Sequence, residues 1–225
     1  MSVVRVFVDA IPSPGEELVL PLAEAHHLRV RRVALGEEVV VLDGKGREAK
    51  GRLMAPGVLK IQEVKRVLER EPTVRVTLYI ALLKEKKMAF VIQKATELGV
   101  AEIVPLITCR SLPRPSPSKV ARWNTIAKEA LKQCGGTVLP RISPPQPLRA
   151  VKGPGWVLWE AERERKLPRR ESSTSEALVV GPEGGWEKEE IDFLKDQGLI
   201  PVTLGPRVLR AETAALVGTA LLMWR

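Results

Sequence analysis

The stretch that decides the fold is Ala177–Leu216, ALVVGPEGGWEKEEIDFLKDQGLIPVTLGPRVLRAETAAL. It opens on four apolar residues, Ala177–Val180, a length that suits a buried strand. GPEGGW, Gly181–Trp186, leaves that strand. A helix follows over Glu187–Gln197, with Gly198 placed to stop it. Ile200–Leu204 reads as another strand, Gly205-Pro206 as a turn, and Glu212–Trp224 as a last helix. Strand and helix alternate, which is the signature of a mostly parallel α/β sheet.

Working outward, the same rhythm runs back to residue 73. Val74–Leu83 is an apolar strand, and Lys87–Leu98 an amphipathic helix that Gly99 should end in a left-handed conformation. Glu102–Ile107 is the next strand, Arg110–Ser118 a proline-rich loop, and Lys119–Cys134 a helix stopped by Gly135-Gly136. Trp156–Trp159 is a further strand, and the charged run 163–170, RERKLPRR, reads as an exposed loop. Before Glu71-Pro72 the pattern differs. Short strands at Val3–Val8, Leu18–Leu20, Val39–Leu42, Arg47–Leu53 and Val58–Val67 surround one helix over 21–33. Asp43-Gly44-Lys45-Gly46 is a hairpin signal. On the helix, Arg29 and Arg32 share one face, and His27 and Arg31 another. The expected organisation is a small β-barrel module over 1–72 and an α/β domain over 73–225.

Composition narrows the function. The chain has 225 residues, 44% hydrophobic and 28% charged, which is ordinary for a globular protein. Two cysteines, Cys109 and Cys134, and two histidines, His26 and His27, are too few for a structural zinc site or a disulfide framework. No metal is therefore expected. The apolar run Ala214–Trp224 is eleven residues, against about 20 for a membrane span. The N-terminal stretch lacks a signal-peptide pattern, so a cytoplasmic protein without membrane association is expected. The net charge is +9, and it is local. Residues 84–152 hold 13 basic and four acidic side chains, which points to a polyanion partner.

In open α/β sheets ligands bind beyond the carboxyl ends of strands, so the loops that leave strands are the candidate site. GPEGGW matches neither a dinucleotide fingerprint nor a P-loop. Its glycines either bring backbone close to a ligand or make a tight turn. On the first reading, a Cβ branch at Gly184 would block the ligand and penalise a positive φ. Glu183 disfavours phosphate and suits a neutral or cationic ligand. In the second loop, Arg207 and Arg210 precede Glu212 and Thr213, either of which could cap the helix. The LWEAE stretch at 158–162 says nothing alone, and neither cysteine reads as a nucleophile.

Together these residues resemble a known family. KATELGV (94–100), GPEGGW (181–186) and LGPRVLRAETAAL (204–216), with RWNTIAKEALKQCGG (122–136) and AHHLRVRR (25–32), look like the bacterial 16S rRNA uridine-N3 methyltransferases of the SPOUT superfamily. The resemblance spans nearly the whole chain. It implies an N-terminal PUA-like barrel, and a C-terminal α/β domain with a trefoil knot that general folding rules would not suggest. It also implies an S-adenosylmethionine site, a homodimer whose active sites borrow residues from the second subunit, and 16S rRNA of the small ribosomal subunit as partner. The implied cofactor-binding residues are Gly181, Pro182, Glu183, Gly184 and Gly185 in the middle loop. In the last loop they are Leu204, Gly205, Val208, Leu209 and Arg210, with Thr213 behind them. Three departures from the family pattern stand at Gly136, Cys109 and Glu85-Lys86.

Methyl transfer to N3 of uracil needs an in-line nucleophile and loss of the N3 proton. Negative charge remains on the ring carbonyls, and Arg210 or Arg110 could stabilise it. Glu212 is the one carboxylate considered as base, with a structural role as the alternative. Two other functions remain open: a non-catalytic RNA-binding or ribosome-assembly protein of the same fold, and a tRNA methyltransferase.

Overall fold

The computed structural model describes residues 3–168 and 175–223. The expectations for Trp224 and for Arg169-Arg170 lie outside them. The chain divides into two compact units, Met1–Glu71 with Lys128–Leu139, and Pro72–Ala127 with Pro140–Arg225.

The N-terminal unit holds β1 (Arg5–Phe7), β2 (Glu17–Val19), α1 (Leu22–Val30), β3 (Glu38–Leu42), β4 (Arg47–Ala55) and β5 (Val58–Arg66). Its five strands lie in the order β1-β3-β4-β5-β2, antiparallel except for β1 beside β3. The β3–β4 hairpin falls where the sequence places it. Asp43 Oδ1 accepts the backbone N–H of Lys45 and of Arg47, and Gly44 and Gly46 take positive φ. Alternate residues of all five strands, with Leu28 of α1, meet in one core, so the sheet curls around it. The α1 helix is shorter than expected. Arg31 is its C-cap and Arg32 has φ +55°, so neither belongs to the helix faces assigned to them. Lys128–Leu139 completes this unit. Leu139 donates to Gly44 O, Thr137 accepts Gly46 N–H, and buried Lys132 pairs with Glu24 at 2.9 Å.

The C-terminal unit contains β6 (Arg75–Ala81), α2 (Glu85–Leu98), β7 (Glu102–Ile107), the first part of α3 (Pro117–Cys134), β8 (Arg141–Ile142), β9 (Gln146–Pro147), β10 (Gly155–Leu158), β11 (Ser175–Val180), α4 (Lys188–Asp196), β12 (Leu199–Val202) and α5 (Ala211–Met223). Seven strands form a wholly parallel sheet in the order β12-β10-β11-β6-β7-β8, with β9 also on β7. The alternation predicted that sheet. Gly99 ends α2 at φ +90°, as its position required. Two prolines sit in strands without breaking the sheet. Pro201 is on the edge strand β12. Pro105 falls in β7 between its pairing with β8 at 102–103 and with β9 at 106–107. Of the run 163–170, residues 163–166 are exposed as expected. Leu167 is buried, and the backbone of Arg165 and Leu167 bonds to Thr203, which continues the open edge of β12. After β12 the chain returns across the sheet, and α5 packs on α2, β6 and β11.

Candidate active site

Because the sheet is parallel, its strands end on one side, and their registers bring the ends level. Leu158 of β10 pairs with Val180 of β11 and with Val202 of β12, and Val180 pairs with Ile80 of β6. The segments leaving β10, β11 and β12 therefore start at one height. Between them lies a cavity of about 700 Å³, within the usual range of roughly 300–1,000 Å³ for small-molecule sites.

Gly181–Gly185 and, from the last loop, Leu204, Gly205, Val208, Leu209 and Arg210 all line this cavity. Their reasons for being there differ. Gly181 leaves room for the buried Trp186 indole, which a Cβ would approach to 2.7 Å, and Trp186 Nε1 donates to Leu158 O at 3.0 Å. Gly185 has φ +75°, and a Cβ there would fall on the Glu160 carboxylate. Gly184 is different from expectation. Its backbone stays outside the left-handed region, and the nearest atoms to a Cβ are those of Arg110, at 3.2 Å. The strong requirement for glycine thus sits at 185. Gly205 has φ +142° and open space around it, with Thr203 Oγ1 bonded to both its N–H and its C=O.

Three expected residues lie elsewhere. Arg110 does not line the cavity. Its Nε donates to Glu187 Oε1 at 2.8 Å and its Nη1 to Gly184 O at 2.9 Å, so it braces the glycine loop against the start of α4. Thr213 is exposed and outside the lining. The α5 helix begins at Ala211, so neither Thr213 nor Glu212 is its N-cap. Glu212 is also outside the lining. Its Oε1 stands 3.1 Å from Lys87 Nζ, which also pairs with Glu183. Burial pushes the Glu212 carboxyl up, but its own backbone N–H and Lys87 outweigh that and hold it below the usual value. Such a carboxylate is a weak proton acceptor at neutral pH. The Cys109 thiol is pushed up, first by the Glu190 charge and then by desolvation, which suits an inert side chain.

Sequence reasoning missed Lys84, Lys87, Trp159, Glu160, Arg163 and Thr203, all of which line the cavity. The signal was available only through register, since LWEAE becomes informative once Leu158 is level with Val180. The lining mixes apolar walls at Val202, Leu204 and Val208 with carboxylates at Glu160 and Glu183 and cations at Lys84, Arg163, Arg207 and Arg210. Among the described residues no group of three or more His, Cys, Asp or Glu is arranged to hold a metal ion. No described helix is long and apolar enough to cross a membrane.

The RNA methyltransferase domain family matches residues 69–223, and the RNA methyltransferase PUA domain family matches residues 21–57. Ribosomal RNA small subunit methyltransferase E of Synechocystis sp. is 35% identical, over 90% of this chain and 71% of its own length. The protein of that name from Aquifex aeolicus is 31% identical over 93% and 95%. Among solved structures, a ribosomal RNA small subunit methyltransferase E from Neisseria gonorrhoeae bound to S-adenosyl methionine superposes with a TM-score of 0.90. It shares 30% identity and covers 97% of this chain and 96% of that one. Parallel sheet, strand-end cavity and full-length similarity agree: the chain belongs to the RNA methyltransferase family that includes ribosomal RNA small subunit methyltransferase E.

Proposed function

We propose that this chain transfers a methyl group from S-adenosylmethionine to N3 of a uridine in the 16S rRNA of the small ribosomal subunit. The observation that carries the reading is the cavity at the level ends of β10, β11 and β12, walled by both loops of a family member. The resident chemistry fits the cofactor. Apolar side chains at Leu204, Val208 and Leu209 suit a flat adenine, the glycine loop offers bare backbone, and mixed charges suit a zwitterionic amino acid. When bound, the cofactor supplies a sulfonium-activated methyl group.

The chain's own residues then have distinct tasks. Arg210, exposed and lining the cavity, takes the electrostatic role, meeting negative charge on the uracil carbonyls as the N3 proton leaves. Arg110 holds the glycine loop in position. Glu212, kept ionised beside Lys87, serves structure and is not assigned as the base.

The rest of the reading follows the resemblance. Residues 1–72, which Lys128–Leu139 joins in one compact unit, bind RNA as a PUA-like barrel and the rest of 73–225 carries the reaction, a reading that the two family matches support. A trefoil knot surrounds the site; the crossing from β11 over β10 to β12, and the return of α5 to β6, support it. The protein acts in the cytoplasm as a homodimer whose partner completes the active site. The test is nucleoside mass spectrometry of purified small-subunit rRNA and of bulk tRNA, each incubated with the protein and labelled S-adenosylmethionine. N3-methyluridine is expected in the 16S rRNA. Label in tRNA alone would move the activity to another substrate, and no label anywhere would return the chain to a non-catalytic RNA-binding role.

A further inference from the structure

Lys87, in the first turn of α2, joins two carboxylates that the chain keeps far apart in sequence. One is Glu183 in the glycine loop. The other is Glu212 in the first turn of α5, with Oε1 3.1 Å from Nζ. The glycine loop has other anchors: Arg110 holds Gly184 O, and Trp186 holds Leu158 O. Neither reaches the last loop or α5. Among the described residues, Lys87 is the one charged side chain that links the glycine loop to the helix directly following the last loop. Both loops wall the same cavity. Glu212 Oε2 is buried and has no hydrogen-bond partner, so besides its own backbone N–H this carboxylate has Lys87 as its one salt-bridge partner among the described residues. Without the ammonium, two carboxylates would face each other in a partly desolvated place and repel.

We propose that Lys87 is a positioning residue of this site: by holding Glu183 and Glu212 together it sets the separation of the two cavity-forming loops, without touching the reacting atoms. Its consequence for cofactor affinity rests on the methyltransferase reading; its effect on the loops does not.

The experiment uses the full chain in four forms: wild type, Lys87→Met, Lys87→Arg, and Lys87→Met with Glu183→Gln. Hydrogen exchange is followed without ligand, and S-adenosylhomocysteine is titrated by calorimetry. In Lys87→Met, amides of 181–186 and 203–212 should exchange about tenfold faster than in wild type, while β6 and β7 keep their protection. S-adenosylhomocysteine should bind about tenfold more weakly, between the small effect of losing an exposed ion pair and the large one of losing a buried pair. Arginine should preserve wild-type values. Glu183→Gln should restore part of the loss in the Met background because it removes the repulsion, and a side chain that merely fills space would show no such rescue. Should Lys87→Met not fold, Glu183→Gln alone should give the same loop-local acceleration at smaller amplitude. Unchanged loop exchange, or acceleration spread evenly over the unit, overturns the proposal. Loop exchange that responds as expected in a chain that never binds S-adenosylhomocysteine would instead overturn the cofactor reading and leave the role of Lys87 standing.

Discussion

At position 185 the backbone conformation, more than the space, calls for glycine. Gly185 has φ +75°, which strains any L side chain, whereas the Glu160 carboxylate that an added Cβ would meet is the end of an exposed, flexible chain that can move aside. Gly185→Ala should therefore lower stability by about 1–3 kcal/mol and weaken S-adenosylhomocysteine binding with it. Gly184→Ala meets only Arg110, at 3.2 Å and with ordinary φ, and should stay within about 1 kcal/mol. Thermal melts with and without ligand compare the two, and equal effects would remove the distinction. Glu212 gives a pH signature. Its carboxyl is held below the usual value, burial opposing but its backbone N–H and Lys87 prevailing. The stability it contributes is thus complete above the unfolded-state pKa of about 4.3 and is lost as pH falls through the lower folded value. Urea titrations from neutral pH to about pH 3 should show Glu212→Gln with a shallower acid loss than wild type; parallel curves would mean that Glu212 is not linked to folding.

At the scale of elements, Glu190 joins two of them. It closes the capping box at the start of α4, accepting Glu187 N–H at 3.1 Å through Oε2, and it accepts Cys109 N–H at 2.9 Å through Oε1. Glu190→Ala removes both acceptors from a buried position and should cost about 1–3 kcal/mol. The same change removes the largest cause of the raised Cys109 thiol, so alkylation of Cys109 at pH 8 should become faster. A stable variant with unchanged alkylation rate would show that the Glu190 charge does not act on the Cys109 thiol. The long elements were legible because each carries its own punctuation: Gly99 after α2, the apolar strands β6 and β7, and GPEGGW between β11 and α4. β8 and β9 were not, because two residues apiece are too few for a period, and their places are set by β7 around Pro105. The site divides in the same way. Glycine and proline chemistry marked the two loops, but Lys84, Lys87 and Glu160 are single charged residues. Only the common level of Leu158, Val180 and Val202 makes them neighbours of a ligand.

At the scale of the whole molecule, the basic segment 84–152 is divided between the two units. Lys128 and Lys132 belong to the N-terminal unit and the rest to the other. Among the described residues, eight of its 13 cations are in ion pairs: Lys87, Lys94, Arg110, Lys119, Arg122, Lys128, Lys132 and Arg141. Exposed pairs of this kind hold their partners weakly and can exchange them for phosphate. Lys132 cannot, because it is buried against Glu24, and Lys87 is committed to the cavity. Of the other five, Lys84 lines the cavity, while Lys86, Arg114, Arg149 and Lys152 are exposed and in none of these pairs, although Arg114 donates to Pro145 O. They are the cations best placed to meet RNA. Replacing Lys86 and Arg114 by glutamate should reduce the slope of log affinity against log salt by roughly 0.7 for each phosphate that is no longer neutralised, with S-adenosylhomocysteine affinity unchanged. Lys132→Met should behave in the opposite way. It strands a buried carboxylate, so it should cost about 3–5 kcal/mol of stability and leave the salt slope alone. Fluorescence anisotropy with a single-stranded rRNA fragment, at salt concentrations from about 50 to 200 mM, separates the two classes when paired with thermal melts. A slope indifferent to Lys86 and Arg114 would place the RNA surface outside this segment, and a slope that followed Lys132 would mean that its buried pair opens when RNA binds.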